Sequence, residues 1–355
     1  MKPKLSRREL LSHLAKLGLV IGGVSIALPG FGCSSETKST GAGSPLARPT
    51  EALPFPAINQ ASPVSTTTPP AAGTAAAVAA STPTVEAGGR ADLAVVKGGD
   101  YQAITRAAVG AIGGIERFVP RGSKVVVKPN IGPNRAPQYA ATTHPKVVAA
   151  MVTLCQEAGA SKVTVLDYGL NGPNVGYDTS GIEAAVKRAA GTMERITMMK
   201  FKQVAVPEGK EMKSLYIYQD VLDADVVITV PIAKHHSLSG LTLAMKNMMG
   251  VTRDRDPFHN NIGQRVADLC TLIRPRLTIV DATRILLRNG PSGGNLADVK
   301  QLDTVIASAD IVAADAYAAT LFGLKGQDIA TVRAGQAMGL GTMDLSTLRI
   351  ATVTI

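Results

Sequence analysis

Tryptophan is absent, and aromatic residues make up only 4% of the 355 residues. A folded core must therefore be aliphatic, built from Val, Ile, Leu, Ala and Met, and an apolar content of 45% is enough to build one. The same scarcity speaks against nucleic-acid binding, which needs rings to stack on bases, and no dense Lys/Arg run is present to follow phosphates. There are three cysteines, Cys33, Cys155 and Cys270, and no CxxC pair, so the chain offers no motif for an iron–sulfur cluster or a cysteine-held zinc. Cys155 and Cys270 sit in apolar helical patterns as inert thiols, with a disulfide between them left open to geometry. HExxH and a Walker spacing are missing, and the zincin reading is set aside.

A long apolar run is lacking too. Residues 17–32 are uncharged, but they fall short of the roughly 20 residues needed to span a bilayer. Ahead of them stands Ser6-Arg7-Arg8-Glu9-Leu10-Leu11, which resembles a twin-arginine export signal. Such export carries proteins already folded, as that resemblance implies. The run closes on Gly30-Phe31-Gly32-Cys33, which looks like a bacterial lipoprotein processing site with Gly30 in place of a leucine-like residue. The expectation is an export signal over residues 1–33, lipidation at Cys33, and a periplasmic or cell-surface location, with ordinary signal cleavage as the alternative. Residues 34–90 are rich in Ser, Thr, Pro, Ala and Gly without hydrophobic periodicity, which predicts a disordered tether. The membrane would then be met only through the lipid anchor or the signal.

Residues 91–355 carry the fold. Short aliphatic runs alternate with helical spacing, as at 93–97, 124–128, 162–166, 226–230, 277–280 and 304–307. Pro145 opens a helix capped by Thr143 or His144, and Asp310 caps another. This alternation predicts an α/β fold, a doubly wound and mostly parallel sheet, in one or two lobes. The net charge is +10, and much of it belongs to this body, which suits a small anionic ligand.

Residues 229–250, TVPIAKHHSLSGLTLAMKNMMG, are the most unusual stretch. They are expected to run from a strand through a polar loop into a helix, the arrangement that sets ligand groups at the carboxyl edge of a sheet. The other expected strand ends supply Lys128 and Asn130, Asp167, Asp281, and Asp310 followed by Asp315. If those ends converge, the catalytic candidates are Lys128, Lys246 and Asp315, and the ligand-binding candidates are Asn130, Lys234, Thr242, Asn247 and Asp281. His235 and His236 are candidates for a divalent metal, against hydrogen-bonded structural imidazoles. Lys246 lies among leucines and methionines, so it must bind a ligand or pair with Asp281 or Asp315. Gly290–Gly294 is read as a flexible loop.

Several blocks stand in a telling order. They are Lys128-Pro129-Asn130, the segment 143–148, the run from Gly240 to Asn247, Ile279-Val280-Asp281, residues 290–294, and the run from Ser308 to Asp315. Together they resemble the bacterial and archaeal domain of unknown function 362 family, over about residues 93–353. Some members carry ferredoxin-type cysteine motifs, which this chain lacks, so the resemblance implies no electron transfer within it. Two functions follow: an enzyme acting on a small anionic substrate, with or without a divalent metal, or a surface-tethered protein that binds or delivers a ligand or cofactor without catalysis.

Overall fold

Val125, Val126 and Val127 stand in a row, β-branched and almost fully covered, and they lie on an interior strand of the sheet. The computed structural model describes residues 90–355. The export signal, Cys33 and the tether expected ahead of residue 90 lie outside the described residues.

The strands are β1 (Leu93–Lys97), β2 (Lys124–Pro129), β3 (Lys162–Val165), β4 (Thr192–Met193), β5 (Phe201–Ala205), β6 (Ser214–Tyr218), β7 (Val226–Val230), β8 (Ile232–His236), β9 (Gly240–Thr242), β10 (Leu277–Leu286), β11 (Val299–Ser308) and β12 (Ile350–Thr354). The α-helices are α1 (Tyr101–Ala111), α2 (Pro145–Glu157), α3 (Ile182–Arg188), α4 (Gln219–Leu222), α5 (Ala244–Asn247), α6 (Ile262–Leu272), α7 (Ile311–Thr320) and α8 (Ala330–Ala337). The main sheet runs β12-β1-β11-β10-β7-β2-β3-β4, with β8 beside β10 and β9 beside β8. The pairs β10–β7, β7–β2, β2–β3, β3–β4 and β1–β12 are parallel, whereas β11 is antiparallel to both of its neighbours. β5 and β6 form a separate hairpin.

Helices cover both faces. Val125 and Val127 point to one face, where they pack with residues of α1, α2 and α3. Val126 points to the other, with residues of α6, α7, α8 and the β5–β6 hairpin. This is the α/β architecture expected from the alternation. Cys155 and Cys270 are free thiols buried in these two separate cores, on opposite faces of the sheet.

Three local differences bear on the site. Residues 232–242, expected as a loop, form the β8–β9 hairpin, and β8 adds to the edge of β10. β10 continues past Asp281 to Leu286, so Asp281 is interior to a strand rather than at its end. β11 runs against β10, so Asp310, at its carboxyl end, is delivered to the edge opposite the ends of β2, β3 and β7. Convergence of all five strand ends requires a wholly parallel sheet, and β11 breaks that condition. Among the described residues, no helix is long and apolar enough to cross a membrane.

Candidate functional site: a lysine-rich cleft

Parallel strands β2 and β3 end side by side, and the residues leaving them meet. Lys128 Nζ lies 2.8 Å from Asp167 Oδ1, and both side chains are almost completely buried. Asp167 Oδ2 accepts the backbone N–H groups of Ile131 at 2.7 Å and Gly132 at 3.2 Å, which holds the carboxylate across the β2 exit. Lys128 Nζ also donates to Asn247 Oδ1 at 2.8 Å, and Asn130 Nδ2 donates to the same oxygen at 3.1 Å. Asn247 is held in turn, its Nδ2 donating to the Lys128 carbonyl and to Thr229 Oγ1, each at 3.1 Å. Gly250 packs directly on this pair. A Cβ there would collide with Asp167 Oδ1 and stand 2.7 Å from Lys128 Nζ.

β8 adds Lys234, whose Nζ donates to Asn130 Oδ1 at 3.2 Å, the Ala141 carbonyl at 2.6 Å and the Pro291 carbonyl at 3.0 Å. Burial, then the charge of Lys246, lowers the Lys234 amine to about 7. Three oxygen acceptors use all three protons of an ammonium, so the local geometry resists that loss and fixes Lys234 as a brace. Burial also lowers Lys128, against the pull of Asp167.

Lys246 differs from both. It projects from α5, and the partner of its Nζ is the soft sulfur of Met249 at 3.7 Å. Among the described residues no carboxylate lies within ion-pair distance of it. Burial, followed by the charges of Arg255 and Lys128, lowers it to about 8. Its neighbour at the start of the same segment, Thr242, is 3% exposed, and its Oγ1 has no hydrogen-bond partner.

These groups line one cavity of about 200 Å³, together with Tyr168, His236, Arg255, Asp256 and His259. Arg255 stacks on the Tyr168 ring, 4.5 Å from its centroid, and donates to the carbonyls of Tyr168 and Gly169. His236 Nδ1 accepts the Leu238 N–H at 3.1 Å, which assigns its proton to Nε2. Burial, then Lys246 and Lys234, lowers His236 to about 3, so it is a neutral N–H donor. The cavity thus holds Lys128, Lys234, Lys246 and Arg255 against Asp167, already paired, and Asp256.

Of the residues singled out in the sequence, Lys128, Asn130, Lys234, His236, Thr242, Lys246 and Asn247 line this cavity. Asp315 and Asp281 do not. Asp315 Oδ1 accepts the Ala244 N–H at 2.6 Å and Oδ2 the Met245 N–H at 2.9 Å, so it caps α5 from α7. Burial pushes this carboxyl up to about 7, while the two backbone donors pull it back. Asp281 Oδ2 accepts the His144 N–H at 2.6 Å, and its Oδ1 takes the N–H and hydroxyl of Thr283. Neither carboxylate meets Lys246: Asp315 holds backbone N–H groups, and Asp281 holds backbone N–H groups and the Thr283 hydroxyl. His235 turns away from His236, its Nδ1 accepting the Gly290 N–H at 3.1 Å. Among the described residues no three His, Cys, Asp or Glu side chains are grouped to hold a metal ion.

Sequence alone does not assign Arg255, Asp256 and Tyr168 to the site, although the charged run 253–256 stands out in it. Residues 290–294 do have the G-x-S-x-G spacing. They connect β10 towards β11 rather than a strand to a helix, so Ser292 does not sit on a nucleophile elbow. What this segment does give the cleft is the Pro291 carbonyl that braces Lys234.

Residues 125–320 match the family described as Domain of unknown function (DUF362). A thylakoid-associated protein of Synechocystis sp. is 27% identical over 258 residues, spanning 68% of this chain and 76% of that protein. Among solved structures, the lactate racemase apoprotein of Thermoanaerobacterium thermosaccharolyticum aligns with a TM-score of 0.40 at 10% identity, over 61% of this chain and 54% of that one.

Proposed function

The chain belongs to the DUF362 family, and on that premise we propose that its cleft is the active site of an enzyme acting on a small carboxylate or phosphate anion. The observation that carries this is Lys246, a largely covered cation with a thioether contact and no carboxylate, facing a cavity whose other free donors are also cationic or neutral. A buried positive charge left without a counter-ion is costly, and an anionic ligand relieves it. The cavity is smaller than the roughly 300–1,000 Å³ of drug-sized sites, which favours a ligand of a few heavy atoms. Lys128 and Arg255 each keep donors beyond those used in the fold, and Thr242 offers a hydroxyl with no other partner.

Delivery to a membrane surface is part of the same proposal. Its supports are the signal-like residues 1–33, with Cys33 as lipid acceptor, and a relative described as thylakoid-associated. Cys33→Ala should move the protein from the membrane to the soluble fraction.

Thermal unfolding of the full chain tests the site. Inorganic phosphate or acetate at millimolar concentration should raise Tm, and Lys246→Ala should abolish the rise. Equal melting with and without either anion rules the cleft out as an anion site.

A further inference from the structure

We infer that Lys246 is a Schiff-base lysine, whose amine condenses with the carbonyl carbon of a small oxo acid while the cationic wall of the cleft holds the acid's carboxylate. This rests on the proposed anion site and adds a chemistry to it. The geometry singles out one amine of three. Lys234 spends its donors on three oxygens, and Lys128 is committed to Asp167 and Asn247. Lys246 has only the Met249 sulfur, which neither removes its proton nor competes for an electrophile.

The groups around it suit the step. Arg255 and Lys128 face it as cations, with Lys234 beyond, and Asp167 is occupied by its own pair. His236, neutral with its proton on Nε2, can donate to the carbonyl oxygen, and Thr242 lines the same cavity. His259, Asp256 and Tyr168 complete the titratable lining. An amine must be neutral to attack, and neighbouring cations with desolvation are the established way to keep a lysine so. In the reaction the nitrogen lone pair adds to the carbonyl carbon. The C–O bond then breaks, and the oxygen leaves as water with both amine hydrogens, forming C=N without any change of oxidation state.

The test uses the full chain with glyoxylate as the oxo-acid probe and sodium borohydride as the trapping reductant. Peptide mass analysis should find a carboxymethyl group on Lys246 well above that on exposed lysines such as Lys97 and Lys325. With its amine near 8, Lys246 is neutral at pH 8 about a hundred times more often than an ordinary lysine, so preferential labelling is expected there. Phosphate should suppress labelling of Lys246 and leave Lys97 untouched, a comparison that needs no variant. Lys246→Arg should remove the label and keep the phosphate-induced rise in Tm. Labelling spread evenly over the lysines, or indifferent to phosphate, overturns the inference. If phosphate still raises Tm in that case, the anion site stands and only the imine is lost.

Discussion

Lys128 and Asp167 form a buried ion pair, 2.8 Å long, between the ends of two adjacent parallel strands. Asp167 also takes two backbone N–H groups of the segment leaving β2, so the pair sets both the charge and the shape of the cleft floor. Asp167→Asn keeps acceptors for those N–H groups and removes the charge. Lys128 is then buried and uncompensated, and the expected loss is about 3–5 kcal/mol in denaturant unfolding at neutral pH. The loss should shrink as pH rises and Lys128 gives up its proton.

Gly250 is needed because no Cβ fits above that pair. Gly250→Ala should cost about 1–3 kcal/mol through overpacking and should weaken anion binding. Gly110 provides the contrast. It lies inside α1 with nothing near its missing Cβ, so Gly110→Ala should stabilise by about 0.5–1 kcal/mol. Urea midpoints of the two variants should move in opposite directions.

Stability should rise with pH in alkaline solution. Lys246 titrates near 8 in the folded chain against 10.5 as a free lysine, so between those values the unfolded chain holds more protons. Unfolding free energy therefore increases with pH across that window, and below pH 8 the full penalty of the buried charge is present. Lys128 and Lys234 are lowered as well and act in the same sense. Lys246→Met should raise stability at pH 7 and flatten part of the slope. Chemical denaturation at a series of pH values reads both effects.

Asp315 is expected to behave as a structural carboxylate. Asp315→Ala strips two N–H groups at the start of α5 of their acceptors, at a cost of about 1–3 kcal/mol. The anion-induced rise in Tm should survive in the remaining folded protein. Its loss at a temperature where the variant is still folded would return Asp315 to the site.

Thr242→Val separates binding from stability. The hydroxyl has no partner in the fold, so its replacement by a methyl should leave stability unchanged or slightly improved. Anion affinity should fall, as read by calorimetric titration with phosphate.

The fold was largely legible because strand and helix are written in local patterns. Val125 to Val127 announce a strand covered on both faces, and Pro145 behind His144 announces a helix start, with His144 Nδ1 accepting the Lys146 N–H. Lys128, Asn130 and Asn247 were legible for a similar reason, since each stands beside an apolar run where an unexplained polar group needs a partner. Strand direction was not legible. An aliphatic run reads the same whichever way its neighbour points, so nothing local showed that β11 opposes β10 or that Asp281 lies mid-strand. Partnership was not legible either. Asp315 and Lys246 share an apolar context in the sequence, yet one meets two backbone amides and the other meets only a sulfur. The amino-acid sequence alone determined which residues needed an explanation, because burying charge is costly wherever it occurs. Only the tertiary structure decided which were already satisfied and which remained open to a ligand, because a hydrogen bond depends on distances between segments far apart in the chain.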